Sequence, residues 1–300
     1  MTTTWLIAVL IAARWTQFVA LFVLFGWLLF PFYAGSSLDD PSTKAARKTL
    51  PLVAVMQVLS LLVWLGATIA GIGDGWDALA DAGLLQSYFL ETGFGQAWIA
   101  RLALTFALVA LVFAARASLC ERNLPSADAL ALVGLLLASG AEIGHQATAH
   151  GIAQAFYTLH VWGGAAWIGG LAPLFVLLRE ARNDHRRQER LRFALKRYAK
   201  MASCAVALVI VGGASSAWAT LADAEFSTKS PWAWALAVKI VCFFLLLAIA
   251  FQNRFRLGPL LVAQPRVGVE RLARNIMVDQ GIALVLLLAA AVIGLAPSTP

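Results

Sequence analysis

The sequence predicts an all-α polytopic membrane protein: an eight-helix transmembrane bundle with both termini on the non-cytoplasmic side. Three observations lead there. The 300 residues are 61% hydrophobic and only 13% charged, with a mean hydropathy of +0.78, whereas soluble domains hold apolar usage nearer half. Eight apolar runs reach the roughly 20 residues that a helix needs to cross a hydrocarbon core about 30 Å thick. No period-two alternation is sustained between turns, which argues against a transmembrane β-barrel.

The runs lie at 5–32, 50–72, 97–115, 127–145, 154–178, 201–221, 232–252 and 276–296, each bounded by charge, Pro or Gly clusters. The first has no positive stretch before it and no small-residue cleavage pattern after it, so it is expected to be a retained helix rather than a signal peptide. If the eight alternate, Lys and Arg should gather in every second loop. Loop one holds Lys44, Arg47 and Lys48, and loop three holds Arg116 and Arg122. Loop five, 179–200, holds nine basic residues, and loop seven holds Arg254, Arg256, Arg266, Arg271 and Arg274. The opposite side carries Lys229 alone. The formal charge of +7 and the pI near 9.7 therefore record orientation rather than nucleic-acid binding. They conceal an acidic outer face, with Asp74, Asp77, Asp81, Glu91, Asp223 and Glu225. Loop five is expected to rest on anionic headgroups, with His185 solvated in it.

Two regions of one integral-membrane domain are expected. Residues 1–126 give three spans and an outer segment, 73–96, in which Trp76, Leu79, Leu84, Leu85, Tyr88 and Phe89 alternate with acidic residues, as in an amphipathic helix on the membrane surface. Residues 127–300 give the other five spans. Trp5, Trp76, Trp98, Trp218, Trp232 and Trp234 fall near the outer boundary, as an interfacial aromatic belt requires.

Three of the four histidines, His145, His150 and His160, fall within sixteen residues around the outer end of span four and the start of span five. Glu142 and His145 are three apart, on one helical face. A short loop makes spans four and five antiparallel neighbours, so Glu142, His145 and His160 are expected to converge with His150 above them. Ionisable groups in a bilayer are costly and are usually paired or functional. Three imidazoles and a carboxylate suit copper, zinc or nickel. Arg14, Arg101 and Lys239 lie in the outer half of their spans, where pairing with Glu142 is the expected structural role, and Asp279 lies near the inner end of span eight. Sulfur selects monovalent copper, and Met56, Met201, Cys204, Met277 and mid-membrane Cys242 sketch an inner set of candidate ligands. The glycines of Val161 to Gly170, with Gly140 and Gly144, are expected to let helix backbones approach closely. Three scattered cysteines make neither a disulfide framework nor a CxxC site. No Walker A loop, HExxH or GxSxG motif occurs, so no enzyme is expected.

Gly144-His145-Gln146-Ala147, Leu159-His160-Val161-Trp162 and Trp167-Ile168-Gly169-Gly170-Leu171-Ala172-Pro173-Leu174 resemble the CopD family of copper-resistance inner-membrane proteins. The likeness continues through Ser230-Pro231-Trp232, Lys239, Asn253-Arg254-Phe255-Arg256 and Gly294-Leu295-Ala296-Pro297. In the N-terminal half it rests on Glu91-Thr92-Gly93-Phe94-Gly95-Gln96-Ala97-Trp98 with Arg101. The resemblance implies an eight-helix bacterial inner-membrane protein with periplasmic termini that moves copper from periplasm to cytoplasm, with a periplasmic copper carrier as partner. It suggests His145 and His160 as ligands; His150 and Glu142 rest on the spacing above. The outer loops contain no methionine, unlike a Met-rich capture ladder, which leaves histidine as the first contact. The alternative from another class is a b-type haem electron-transfer protein with His145 and His160 as axial ligands, although the cytoplasmic half offers no second histidine pair.

Overall fold

The computed structural model describes residues 2–35, 41–117, 127–143, 151–181, 185–223 and 230–295, and among them there are helices and turns but no strand. The helices are α1 (Thr2–Ala34), α2 (Pro41–Ile72), α3 (Ala82–Glu91), α4 (Gly93–Ala117), α5 (Ala127–Ala138), α6 (Ile152–Gly164), α7 (Gly170–Glu180), α8 (His185–Asp223), α9 (Pro231–Gln252), α10 (Gly258–Ala263) and α11 (Pro265–Ile293). Seven stretches among the described residues are long and apolar enough to cross a membrane. The expected fourth span appears as α5, tightened into a 3₁₀ turn at Ser139–Ile143; its remaining residues, 144 and 145, lie outside the described ones. The protein is an all-α polytopic membrane protein.

Several helices outrun their apolar segments. α8 begins inside the basic loop, because Arg, Lys, Gln and Glu are good helix formers and continue the helix out of the hydrocarbon. That extension packs on its neighbours. Arg190 donates from Nε to Ala34 O (3.3 Å) and from Nη2 to Gly35 O (2.9 Å), meeting the free carbonyls at the C-terminus of α1, where Gly35 takes a φ of 69°. Arg192 donates to Leu261 O of α10 (3.2 Å). Two basic residues of this stretch thus cap or brace neighbouring helices.

The outer segment is helical as expected: a 3₁₀ turn at Trp76–Ala80, then α3. Asp81 caps α3, its Oδ1 accepting from Gly83 N (2.9 Å) and Leu84 N (3.1 Å). A second hydrophobic cluster holds the segment on the bundle, with Ala13, Leu61, Trp64, Leu65, Ile69, Ala78 and Trp98 at its centre and Leu84, Leu85, Tyr88 and Phe89 packed around it. Trp5 and Trp76 stack with ring centroids 5.7 Å apart. Trp218 and Trp234 are exposed, as a belt requires, but Trp98 and Trp232 are buried in the protein. In those two the indole packs against other helices rather than headgroups.

The centre of the fold is the glycine-rich block of the fifth span. Here the helix widens to π-helix at Ala165–Gly169 between α6 and α7. Pro173 contributes, because it has no N–H to give the carbonyl four residues earlier, that of Gly169. Carbonyls in and beside the widened turn are taken up by other helices. Tyr198 Oη of α8 donates to Trp167 O (2.6 Å), Gln280 Nε2 of α11 to Ile168 O (3.1 Å) and Tyr33 Oη of α1 to Gly170 O (2.8 Å). Gly169 and Gly26 bring the two backbones together, and a Cβ on either would overlap the other helix's main chain.

Candidate metal site

His160 lies in α6 on the face turned to α8. Gly212 and Gly213 of α8 offer no side chain, so the ring sits directly against that backbone. His160 Nδ1 is 2.9 Å from Val209 O. A carbonyl can only accept, so Nδ1 carries the proton and Nε2 keeps its lone pair. This is the arrangement seen in metal-ligating histidines, whose second nitrogen is fixed by a carbonyl or carboxylate. Lys239 of α9 is near enough to act electrostatically on the ring.

Glu142 stands in the 3₁₀ turn and is exposed. Its Oε1 accepts from Gln154 Nε2 (3.0 Å) on the first turns of α6. The structure thus joins Glu142 to α6 and His160 to α8, and does not bring carboxylate and imidazole together. His145 and His150 lie outside the described residues. Among those described, no group of three or more His, Cys, Asp or Glu is placed to hold a metal.

The intramembrane cations differ from the expected pairing with Glu142. Arg101, 2% exposed, donates from Nη1 to Leu136 O (3.0 Å) and Ser139 Oγ (2.7 Å). The change from α-helix to 3₁₀ turn redirects Leu136 O, which also accepts from Ser139 Oγ (2.9 Å). Arg14 stacks on Trp64, its Cζ 4.8 Å from the ring centroid, while Arg101 Cζ lies 5.6 Å from the same ring. Asp279, 3% exposed, accepts at Oδ2 from Asn253 Nδ2 (3.4 Å), and Asn275 Nδ2 donates to Asn253 Oδ1 (2.8 Å).

The sulfur-bearing residues differ in setting. Met201 is half-buried beside Gly170 and Met56 packs against the main core. Met277 and Cys204 are exposed, and Cys242 is buried within α9. Asp279, Asn253 and Tyr198 instead line a cavity of about 700 Å³ between α8 and α9, whose rim carries Arg192, Lys196 and Arg254. The cavity exists because α8 packs chiefly on α6 and α9 chiefly on α11.

Sequence reasoning missed Tyr157, Gln154, Tyr198 and Gln280, which bind or face the groups above. Gln154 and Tyr157 share α6 with His160, and Tyr157, three residues before the histidine, would have been found by a search for polar residues at helical spacing from it.

Comparison with known proteins decides the family. Residues 1–155 match the Copper resistance protein D-like, N-terminal domain, and residues 192–293 match Copper resistance protein D. The chain belongs to the copper resistance protein D family. Among curated relatives, Inner membrane protein YebZ of Escherichia coli (strain K12) is 26% identical over 255 residues, covering 83% of this chain and 84% of the relative. Copper transport protein CutJ of Bacillus subtilis (strain 168) is 26% identical over 299 residues, covering 96% of this chain. The chain spans about half the length of CutJ, 53%. No solved structure matches the chain. Membership in the copper resistance protein D family makes this a copper-related membrane protein, and the histidine of its Leu159-His160-Val161-Trp162 block is the one set against α8.

Proposed function

We propose that this chain imports copper from the periplasm to the cytoplasm across the bacterial inner membrane, capturing it at an outer site of His145, His150 and His160, with Glu142 acting on the approach to the site rather than beside His160. The observation that carries this reading is the His160 ring, held at Nδ1 by Val209 O with Nε2 left to bind. Family membership and the names of the two relatives support copper as the cargo and the inner membrane as the location. The acidic outer loops concentrate the cation, or a basic stretch of a periplasmic copper carrier, before the histidines take it. Neutral imidazole suits copper, and His145 and His150 supply the further nitrogen ligands.

In this reading the chain crosses eight times, α5 and its extension to residue 145 making the fourth crossing, and both termini are periplasmic by the distribution of Lys and Arg. Residues 1–126 contribute three spans and the outer helix, and 127–300 the five spans that carry the histidines. Met56, Met201, Cys204, Met277 and Cys242 would serve only a late, inner step.

The test is copper entry into liposomes containing the purified chain, oriented by protease protection of the termini. Wild type should take up copper, and His145→Ala and His160→Ala should each cut the rate at least tenfold while the protein stays inserted. Wild-type uptake by the double variant would refute the site. A Soret band in the purified protein would favour haem ligation instead.

A further inference from the structure

In the outer half of the bundle, α1, α2, α4, α5 and α6 enclose a cavity of about 30 Å³. That is room for about two or three water-sized particles, each needing about 10–15 Å³, or for one larger ion. Its polar lining is Arg14, Arg101, Trp64 and Tyr157; the other walls are apolar apart from Gly140, and none is a carboxylate. Both guanidiniums are buried, at 7% and 2% exposure, and in each the Nε–H has no hydrogen-bond partner. They share the ring of Trp64, with their Cζ atoms 4.8 and 5.6 Å from its centroid. Neither Arg14 nor Arg101 forms an ion pair among the described residues. Glu142, the acid expected from the sequence to pair with them, is bound to Gln154.

Two buried cations with no ion pair among the described residues favour a counter-charge beside them. The lining supplies guanidinium N–H groups that only donate, an indole N–H that only donates, and a phenol that can donate. Such a set solvates an anion and repels a cation. Charge-assisted N–H donors are the strongest available for that purpose.

Polar groups also continue from the cavity along the same three helices. Gln17 is three residues from Arg14 on α1, Gln57 seven from Trp64 on α2 and Thr105 four from Arg101 on α4, so each falls on its partner's helical face. All three are buried, and the Gln17 and Gln57 amides and the Thr105 hydroxyl have no partners. The helices run antiparallel in turn, which displaces all three groups to the same side of the cavity, toward the end of the bundle that carries Lys44 and Arg116.

We propose that Arg14 and Arg101, with Trp64 and Tyr157, form a binding site for one small monovalent anion of halide size within the membrane. The site lies on α1, α2 and α4 as much as on α6. It is separate from the His160 contact with α8 and does not depend on copper being the cargo.

The test uses the full chain in nanodiscs of zwitterionic lipid, with ³⁶Cl⁻ equilibrium binding and, independently, bromide quenching of tryptophan fluorescence. Wild type should bind about one chloride per chain saturably, bromide should compete, and sulfate, too large for the cavity, should not. Arg101→Gln and Arg14→Gln should each weaken binding at least tenfold, whereas Arg256→Gln on the cytoplasmic side should leave it unchanged. Trp64→Phe should remove a saturable part of the bromide quenching and, by deleting the indole N–H donor, weaken chloride binding less than either Arg→Gln change. Arg101→Lys keeps the charge and guards against loss of fold: folded and still binding chloride within tenfold of wild type, it supports the site. No saturable chloride binding to wild type, equal binding of sulfate, or binding unchanged in both Arg→Gln variants would overturn the proposal.

Discussion

Replacing Gly169 by Ala probes a close backbone contact between helices. A Cβ there would overlap the carbonyl of Phe22 on α1, and one on Gly26 would overlap the carbonyl of Gly169. Ordinary separations are about 3.5–4.0 Å, so α1 and the π-helical segment must part by more than about 1 Å. Overpacking of this kind costs about 1–3 kcal/mol. Parting the helices also strains the Tyr33 bond to Gly170 O, worth about 1 kcal/mol. The total is about 2–4 kcal/mol, which at about 1.36 kcal/mol per decade is roughly a 30- to 1000-fold change in the unfolding equilibrium. The control is Gly281→Ala, where an added Cβ meets nothing within 4 Å and the better helix former should be neutral or stabilising by up to about 1 kcal/mol. Both variants can be unfolded by titrating SDS into mixed micelles with circular dichroism as the readout. If Gly169→Ala is as stable as Gly281→Ala, the close approach of the two backbones is not what holds α1 in place.

Tyr198→Phe should lower stability by about 1 kcal/mol by leaving Trp167 O without its donor, read by the same titration. Arg190→Ala should cost about 1 kcal/mol and loosen the end of α1, seen as faster hydrogen exchange of its last turn, because the variant loses the contacts to Ala34 O and Gly35 O. Cys204 should react with a small maleimide in detergent well before Cys242, which is 7% exposed; equal rates would mean that α9 does not hold Cys242 as described.

The spans were legible because membrane insertion writes hydropathy and Lys/Arg asymmetry directly into the chain. The surface helix was legible from its acidic and aromatic alternation, and Asp81 sits where a cap is needed. Helix ends were not, since α8 runs into a basic loop whose residues are good helix formers. The glycines of residues 161–170 announced close packing, yet nothing in their order said that the helix would widen there or that Tyr33, Tyr198 and Gln280 would collect its carbonyls. Those partners lie more than thirty residues away, beyond the reach of local spacing. The expected pairing of the arginines with Glu142 failed for a related reason. Equal depth in the membrane does not fix which way a side chain turns, and a 3₁₀ turn set Arg101 against Leu136 O.

The carbonyls around the widened turn bear on how this bundle can move. Tyr33, Tyr198 and Gln280 reach them from three helices in different directions. Sliding any of those helices along the membrane normal by one residue, about 1.5 Å, would lengthen and misalign its bond. Piston-like displacement is thereby opposed at the middle of the protein. What remains available is tilting of α9 about its contact with α11, toward or away from α8, which would change the gap between them without changing the height of any helix.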